Sequence, residues 1–194
     1  MPDMLSASAM AAGLSWASGI RLYMALFVAG WFGRMGWIDL PPALHVLQSP
    51  WVLGVTAALA AIEFLADKVP GLDSVWDVVH TFIRIPAGAV LAAAAMGQMA
   101  PEWTAVAALL GGTVAAGAHA TKTGSRALIN TSPEPLSNWT ASFSEEAAVL
   151  GGLWAAFFHP WLWFALLLLF FLLALWLLPK LWRGLRWFFR KLNS

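Results

Sequence analysis

The chain has 194 residues, of which 60% are hydrophobic and only 11% are charged, and a mean hydropathy of +0.72 excludes an ordinary soluble domain. A formal net charge of +1 argues against nucleic-acid binding, and the absence of cysteine excludes disulfides and thiolate chemistry. The composition therefore predicts an all-α integral membrane protein.

The first apolar segment, residues 4–37, is interrupted by Ser18-Gly19-Ile20-Arg21. An arginine within a membrane span must face protein or water. Either one spanning helix carries Arg21, or Gly19 marks a break between a short re-entrant arm and a helix of residues 21–37. The first twenty residues contain no positively charged n-region, so we expect no cleaved signal peptide.

The second predicted span, residues 51–66, leads into an acidic stretch. Glu63 and Asp67 are four residues apart and share one face at the end of that helix. Their oxygens suit a divalent cation such as Mg²⁺, Mn²⁺ or Ca²⁺, or a proton-coupling pair. The alternative is simple ion pairing, with Arg21 or Arg126 as the partner of Glu63 and with Lys68 beside Asp67 at the membrane interface.

After Pro70-Gly71, a polar stripe follows at spacings of four, three and four residues: Asp73, Asp77, His80 and Arg84. Because histidine is the side chain that titrates near neutral pH, His80 is a candidate for a proton relay along this stripe. The equally weighted alternative is that Asp73 caps the helix, that Asp77 pairs with Arg84, and that the helix lies on the membrane surface.

Residues 85–99 and 103–120 form the third and fourth predicted spans, and their high Ala and Gly content favours close helix packing, including a homo-oligomer contact. A second polar stretch, residues 119–146, follows and is expected to be a long loop that is either functional or disordered. In this interpretation Ser142 and Glu145 form a capping box that opens the fifth helix. Glu146 has no such structural explanation and is the stronger functional candidate.

The fifth and sixth predicted spans are residues 147–158 and 161–179, and the sixth carries no charge over a length that crosses a ~30 Å hydrocarbon core. Residues 1–179 are thus expected to form one polytopic domain, with halves 1–100 and 101–179. The segment 180–194 is predicted to be a basic amphipathic tail that binds anionic lipid. Its cationic residues are Lys180, Arg183, Arg186, Arg190 and Lys191.

Lysine and arginine predict the orientation, because they favour the cytoplasmic side of a membrane. With six spans, the tail and both polar stretches share one side, and only Arg34 falls opposite. This predicts a multi-pass protein of the cell (inner) membrane with both termini in the cytoplasm.

An internal repeat is suggested by Ser18-Gly19-Ile20-Arg21, which aligns without gaps on Thr123-Gly124-Ser125-Arg126. Each segment precedes a span with carboxylates at its edge. Three spans per half would give the halves opposite topology, as in secondary transporters with 3+3 inverted repeats and broken helices. Chance similarity of two Gly-Arg segments is the alternative.

The chain resembles the membrane-protein family called domain of unknown function 4126 over roughly residues 15–158, with the rest as an addition. The resemblance rests on Ser18-Gly19-Ile20-Arg21, the acidic series from Glu63 to Asp77, Arg84-Ile85-Pro86-Ala87-Gly88, and the segment from Lys122 to Pro135. It implies no activity. Glu63-Phe64-Leu65-Ala66-Asp67-Lys68 is also similar to the Glu-x-Gly-Asp-Lys-Ser/Thr motif of small cation exchangers, but lacks its glycine and hydroxyl and has one extra residue.

The favoured functional hypothesis is a small secondary transporter or channel for a cation or a proton-coupled solute. Its candidate binding residues are Arg21, Glu63, Asp67, Asp73, Asp77, Arg84, Arg126 and Glu146. The alternatives are a membrane scaffold or assembly factor and a lipid-handling, scramblase-like protein. No motif of an enzyme occurs, and no cofactor is expected beyond a divalent cation as substrate or ligand.

Overall fold

The computed structural model describes residues 3–69, 72–130 and 135–192, and within them the chain is entirely helical. The helices are α1 (Met4–Arg34), a 3₁₀ helix (Pro42–Gln48), α2 (Pro50–Ala66), α3 (Leu72–Ala95), α4 (Pro101–Ile129), α5 (Pro135–Phe158) and α6 (Pro160–Leu192). The all-α prediction is therefore confirmed.

Within the described part of the chain, four stretches are long and apolar enough to cross a membrane: Met4–Arg34, Val75–Ala95, Pro101–Ile129 and Pro160–Leu177. A fifth is added if the 3₁₀ helix and α2, which meet at an angle of 71°, count as one broken span. In lipid, a helix satisfies its backbone hydrogen bonds internally, which is why apolar segments of this length are helical. These helices agree with a multi-pass membrane protein, and the number of six spans stays a prediction.

Proline is the first residue of α2, α4, α5 and α6. At this position its missing N–H breaks no helical hydrogen bond, and its fixed φ angle suits the first turn. The helix α1 begins differently, because the carboxylate of Asp3 accepts a hydrogen bond from the Ser6 N–H at 2.7 Å. The α3–α4 and α5–α6 connections are short, and the helices of each pair contact each other as antiparallel neighbours.

The helix α1 is broken at Arg21, whose backbone angles of φ −144° and ψ 85° are not helical. Before the break, Gly13 lies against Ala156 of α5; after it, the ring of Phe32 packs on Phe157. In a straight helix, Gly13 and Phe32 would be roughly 28 Å apart along the axis. Both contact the same end of α5, so α1 folds back at Arg21 as a hairpin.

The hairpin places the two chain termini at opposite ends of the bundle. We call the end with the α3–α4 and α5–α6 connections the turn end and the other the cluster end. Ser8, in the first arm of the hairpin, contacts Met96 at the turn end. The helix α6 also starts there and runs parallel to α4, with Phe171 beside Gly117. Because the hairpin adds one transit of the bundle, the two termini lie at opposite ends of it, and the side of a membrane that each terminus faces stays a prediction.

The polar stretch 119–146 is mostly helical, so the prediction of a long loop is wrong. The helix α4 continues to Ile129 and α5 begins at Pro135, so most of this stretch belongs to these two helices. Ser142 lies inside α5 and cannot cap its start, so the predicted capping box is also wrong. A helix whose buried face carries polar residues has the same composition as a polar loop, and its sequence does not show that the partners of those residues lie on other helices.

The two segments of the predicted repeat belong to helices that run in the same direction. Ser15 and Gly19 of the first hairpin arm contact Gly111 and Ala115 of α4, in that order. Corresponding segments of an inverted repeat run in opposite directions. The pairing of these two segments therefore gives no support to a 3+3 inversion.

Gly19 lies where the first hairpin arm and α4 come closest. A Cβ atom at this position would meet the backbone carbonyl oxygen of Ala115 and would lie 2.9 Å from the Cβ of Ala118. Without a side chain the two helices can approach to backbone contact, as small residues permit in membrane proteins. This contact holds the hairpin tip beside the cluster end of α4.

Gly19→Ala is expected to lower the free energy of unfolding by about 1–3 kcal/mol, because the added methyl group forces two backbones apart. Gly54→Ala is the matched control, since nothing lies within 4 Å of a Cβ added there. Thermal unfolding in detergent, followed by circular dichroism, measures both. Equal midpoints for the two variants would contradict the packing described.

Candidate functional site

Eight charged side chains from α1, α2, α3, α4 and α5, or from the residue directly following α2, meet at the cluster end, and we call them the charge cluster. The carboxylates are Glu63, Asp67, Asp77 and Glu145, and the cations are Arg21, Arg84, Lys122 and Arg126. Seven of these side chains are at most 4% exposed, and Glu145 is 15% exposed. Four negative and four positive charges balance, which reduces the cost of their burial.

Oxygen Oδ2 of Asp67 lies at the centre of the charge cluster. Its distances are 2.8 Å to Arg21 Nη2, 3.2 Å to Lys122 Nζ and 3.6 Å to Arg126 Nη2. The residue directly follows the last residue of α2, so the end of that helix positions the carboxylate. The alternative that placed Asp67 at the interface with Lys68 is wrong, because the Asp67 side chain is fully buried.

Arg84 joins two further carboxylates. It donates through Nη2 to Glu63 Oε1 and through Nη1 to Asp77 Oδ1, the latter at 2.6 Å. The predicted pairing of Asp77 with Arg84 along one face of α3 is therefore confirmed. The expected pairing of Glu63 with Arg21 or Arg126 is wrong, since α3 brings Arg84 to it instead.

The two carboxylates proposed as divalent-metal ligands contact different cations of the protein. Glu63 binds Arg84, whereas Asp67 binds Arg21 and Lys122. Within the described residues, no group of three or more His, Asp or Glu side chains has the geometry of a metal site. The divalent-cation role of the pair stays a prediction.

Glu145 is an integral member of the charge cluster, and Glu146 lies at its edge. Arg126 donates to Glu145 from Nε at 2.7 Å and from Nη2 at 3.0 Å, a bidentate pair. Glu146 lies 3.7 Å from Arg21 and is 19% exposed. Sequence reasoning ranked these two residues in the opposite order, because it assigned Glu145 to a helix cap.

The ammonium group of Lys122 lies where the break in α1 exposes backbone. Its nitrogen donates to the carbonyl oxygen of Ile20 at 3.2 Å, next to the non-helical Arg21. It also lies 3.4 Å from Asp77 Oδ1 and 3.6 Å from Glu145 Oε2. A carbonyl that a broken helix no longer uses is thus satisfied by a cation.

The hydrogen bonds of His119 define its tautomer. Arg84 Nη1 donates to Nδ1 at 3.3 Å, so Nδ1 carries no proton. Nε2 therefore donates to Thr81 Oγ1 at 2.6 Å, and that hydroxyl donates to the Asp77 carbonyl oxygen at 2.9 Å. This neutral imidazole supports Arg84 from α4, a role that its isolation in the sequence did not indicate.

His80 lies outside the charge cluster, on the side of α3 that faces the hairpin. Its Nδ1 donates to the Trp76 carbonyl oxygen at 2.8 Å, so its Nε2 accepts from the Tyr23 hydroxyl at 3.1 Å. The ring also stacks on that of Trp76. The residue bonds to no carboxylate in these contacts, and the predicted proton relay stays a prediction.

Lys68, directly after Asp67, is held by aromatic rings. Its ammonium lies over the ring of Phe64 and within 5.1 Å of the centroids of Trp139 and Phe143. Burial lowers the pKa of Lys68, because an ammonium ion loses hydration among these rings. Cation–π attraction offsets part of that loss and ties the α2 end to α5.

A groove of about 470 Å³ between α3 and α4 leads to the charge cluster. Its polar lining comes from Asp77, Thr81, His119, Thr123 and Arg126. Apolar side chains form the remaining walls, among them Val78, which is 65% exposed. The groove therefore connects the surface of the helix bundle with residues of the charge cluster.

The family model described as Domain of unknown function (DUF4126) matches residues 8–180. The chain belongs to this family. No curated protein and no solved structure matches it. The match of this DUF4126 protein includes α6 as far as residue 180, so the expectation that everything after residue 158 is an addition is wrong.

Of the residues proposed from sequence, the DUF4126 fold brings together six: Arg21, Glu63, Asp67, Asp77, Arg84 and Arg126. Glu146 lies beside them and His80 faces away, while the side chain of Asp73 lies outside the described part of the protein. Sequence reasoning missed Lys122, Glu145 and His119. The signal for α4 was present, since His119, Lys122 and Arg126 recur at helical spacings of three and four.

Asp67→Asn is expected to lower the free energy of unfolding by about 3–5 kcal/mol, because it leaves buried cations without their shared carboxylate. Asp39→Asn, at an exposed position near the turn end, is the matched control and should change little. Denaturant titration in detergent measures both. A similarly small effect of the two substitutions would contradict the central role of Asp67.

Proposed function

We propose that this DUF4126 protein is a small secondary transporter for a cation or a proton-coupled solute, with the charge cluster as its binding site. The observation that carries the proposal is the break of α1 at Arg21, which presents the Ile20 carbonyl to a buried ion-pair network. In known secondary transporters, discontinuous helices expose backbone carbonyls that bind the coupling ion.

The buried ions support this proposal on energetic grounds. Charged side chains within membrane segments are costly, and they generally face an interior pathway with a partner. The side chains of Arg21, Arg84, Glu63 and Asp67 are at most 1% exposed. Replacing a buried ion pair by apolar residues is often neutral or stabilising, so stability alone does not account for these two buried pairs.

The lipid-handling alternative receives less support. It requires guanidinium groups that are available to a lipid phosphate. Arg21 is bound by Asp67 and the Ser142 hydroxyl, and Arg126 is bound by Glu145. A phosphate would have to displace carboxylates that are already in place, whereas a cationic solute or a proton would only redistribute the cations around them.

We further propose that the cluster end faces the cytoplasm of a cell (inner) membrane. Lys68 and Lys180 lie at this end, and Arg34 lies towards the turn end, so the positive-inside rule favours this orientation. Since the termini lie at opposite ends, the N-terminus would be outside and the C-terminus inside.

This orientation predicts the accessibility of tags at the two termini. In intact cells, an N-terminal epitope should be reached by an impermeant antibody, and a C-terminal one only after permeabilisation. A protein carrying the same epitope in the 3₁₀ helix region near Arg34 is the control and should behave like the N-terminal tag. Equal protection of both termini would contradict the hairpin topology.

The transport proposal predicts a loss of flux when the cluster is neutralised. Purified protein in proteoliposomes is tested for flux of protons, monovalent cations and divalent metals with trapped indicators. Asp67→Asn and Glu63→Gln should reduce flux at least tenfold, because each removes a carboxylate from the proposed pathway. Asp39→Asn and Glu102→Gln, both at exposed positions, should retain wild-type flux.

Correct folding of each variant is verified by gel filtration in the same detergent before reconstitution. Wild-type flux in both cluster variants would overturn the assignment of the site. Absence of flux for every solute, together with stoichiometric recovery of one cross-linked partner, would favour the scaffold alternative.

A further inference from the structure

We propose that the position of the Lys122 ammonium is the solute site, and that the solute is a small ammonium-type cation that takes the place of this group. The inference rests on the proposed transport function and names its substrate class. In the unloaded protein, the tethered ammonium of Lys122 acts as an internal substitute for the solute.

Four oxygen atoms from different parts of the chain surround the ammonium. They are Ile20 O at 3.2 Å, Asp67 Oδ2 at 3.2 Å, Asp77 Oδ1 at 3.4 Å and Glu145 Oε2 at 3.6 Å. They come from the break in α1, the residue after α2, the helix α3 and the helix α5. Replacing the Lys122 ammonium by another cation would therefore change contacts to four segments of the chain at the same time.

As it stands, the spacing of this cage favours selection of an ammonium ion, because a hard metal ion would require the oxygens to move inwards. Mg²⁺ binds oxygen at about 2.0–2.1 Å and Ca²⁺ at about 2.3–2.6 Å. The distances from Lys122 Nζ to its four oxygens, 3.2–3.6 Å, are those of N–H donors or of looser charge contacts. No group of three or more acidic or histidine side chains in the described residues has metal-site geometry, which agrees with this selection.

The charge balance requires one monovalent cation at this point. Around Lys122, the charged groups are Arg21 on α1, Glu63 and Asp67 at the end of α2, Asp77 and Arg84 on α3, Arg126 on α4, and Glu145 on α5. Without the ammonium, the four carboxylates of the charge cluster and Glu146, which lies 3.7 Å from Arg21, face three guanidinium groups and the neighbouring Lys68 ammonium. A single positive charge then restores neutrality, and a divalent ion would overcompensate.

A lysine side chain also supplies the positive charge that an acidic transport site lacks when no solute is bound. A bare acidic site is costly to bury, so an empty carrier would have to keep it hydrated or neutralise it. The long, flexible side chain of Lys122 can neutralise the site and withdraw when solute arrives. The groove between α3 and α4, which Asp77 and Arg126 line, provides a direction of approach.

Chemical rescue of Lys122→Ala tests the site. Methylammonium chloride should raise the thermal midpoint of this variant by about 5 °C in a saturable manner, as a ligand that binds only the folded state does. Tetramethylammonium chloride at equal ionic strength has no N–H donor and should not. Lys180→Ala, at an exposed position, should behave like wild type, in which methylammonium gives a smaller shift because the Lys122 ammonium competes for the site.

A double variant, Lys122→Ala with Asp77→Asn, provides the charge control. Its cluster has three carboxylates and three guanidinium groups, so methylammonium should no longer stabilise it. Equal stabilisation of Lys122→Ala by both salts, or by neither, would overturn the inference. Undiminished rescue of the double variant would overturn the charge-balance argument.

A measurement on wild type keeps the inference testable if Lys122→Ala does not fold. Proteoliposomes preloaded with unlabelled methylammonium at pH 6 should accumulate labelled methylammonium at least tenfold faster than protein-free liposomes. Transport of another solute without methylammonium counterflow would overturn the inference and leave the proposed function standing. Rescue of Lys122→Ala without any flux would overturn the proposed function and leave the cation site standing.

Discussion

The carboxylate of Asp67 is shared by three cations, and the arrangement of the cluster end depends on this contact. Arg21 reaches it from the break in α1, and Lys122 and Arg126 reach it from α4. Each cation would carry a large desolvation cost at this depth without a shared anion. The contact therefore couples the position of the hairpin tip, the end of α2 and the last turns of α4.

The break in α1 and the charge cluster stabilise each other. The non-helical backbone at Arg21 turns the hairpin and leaves the Ile20 carbonyl for Lys122. The hairpin in turn places the side chain of Arg21 in the interior of the bundle, where it is 1% exposed. Backbone irregularity at membrane depth is tolerated only where protein or water satisfies it, and here a side chain of α4 does so.

The charge cluster is balanced in charge but not saturated in hydrogen bonds. Among its buried atoms, Glu63 Oε2, Asp67 Oδ1, Arg21 Nε and Arg84 Nε have no hydrogen-bond partner. Buried polar groups in a purely structural network are normally satisfied, and exceptions call for an explanation. The proposed transport site requires charged groups that can change hydrogen-bond partners between its empty and its solute-bound state, and these unpaired atoms permit such a change.

The sequence by itself determined the membrane class, the family and six of the eight cluster residues, because charges in an apolar chain are rare enough to identify individually. It did not reveal Lys122 and Glu145, since a polar face on a buried helix and a polar loop have the same composition. Only the tertiary structure decided the hairpin, the opposite termini and the partner of each carboxylate. These depend on contacts between residues far apart in the chain, such as Gly19 with Ala115 and Glu63 with Arg84, which local periodicity does not encode.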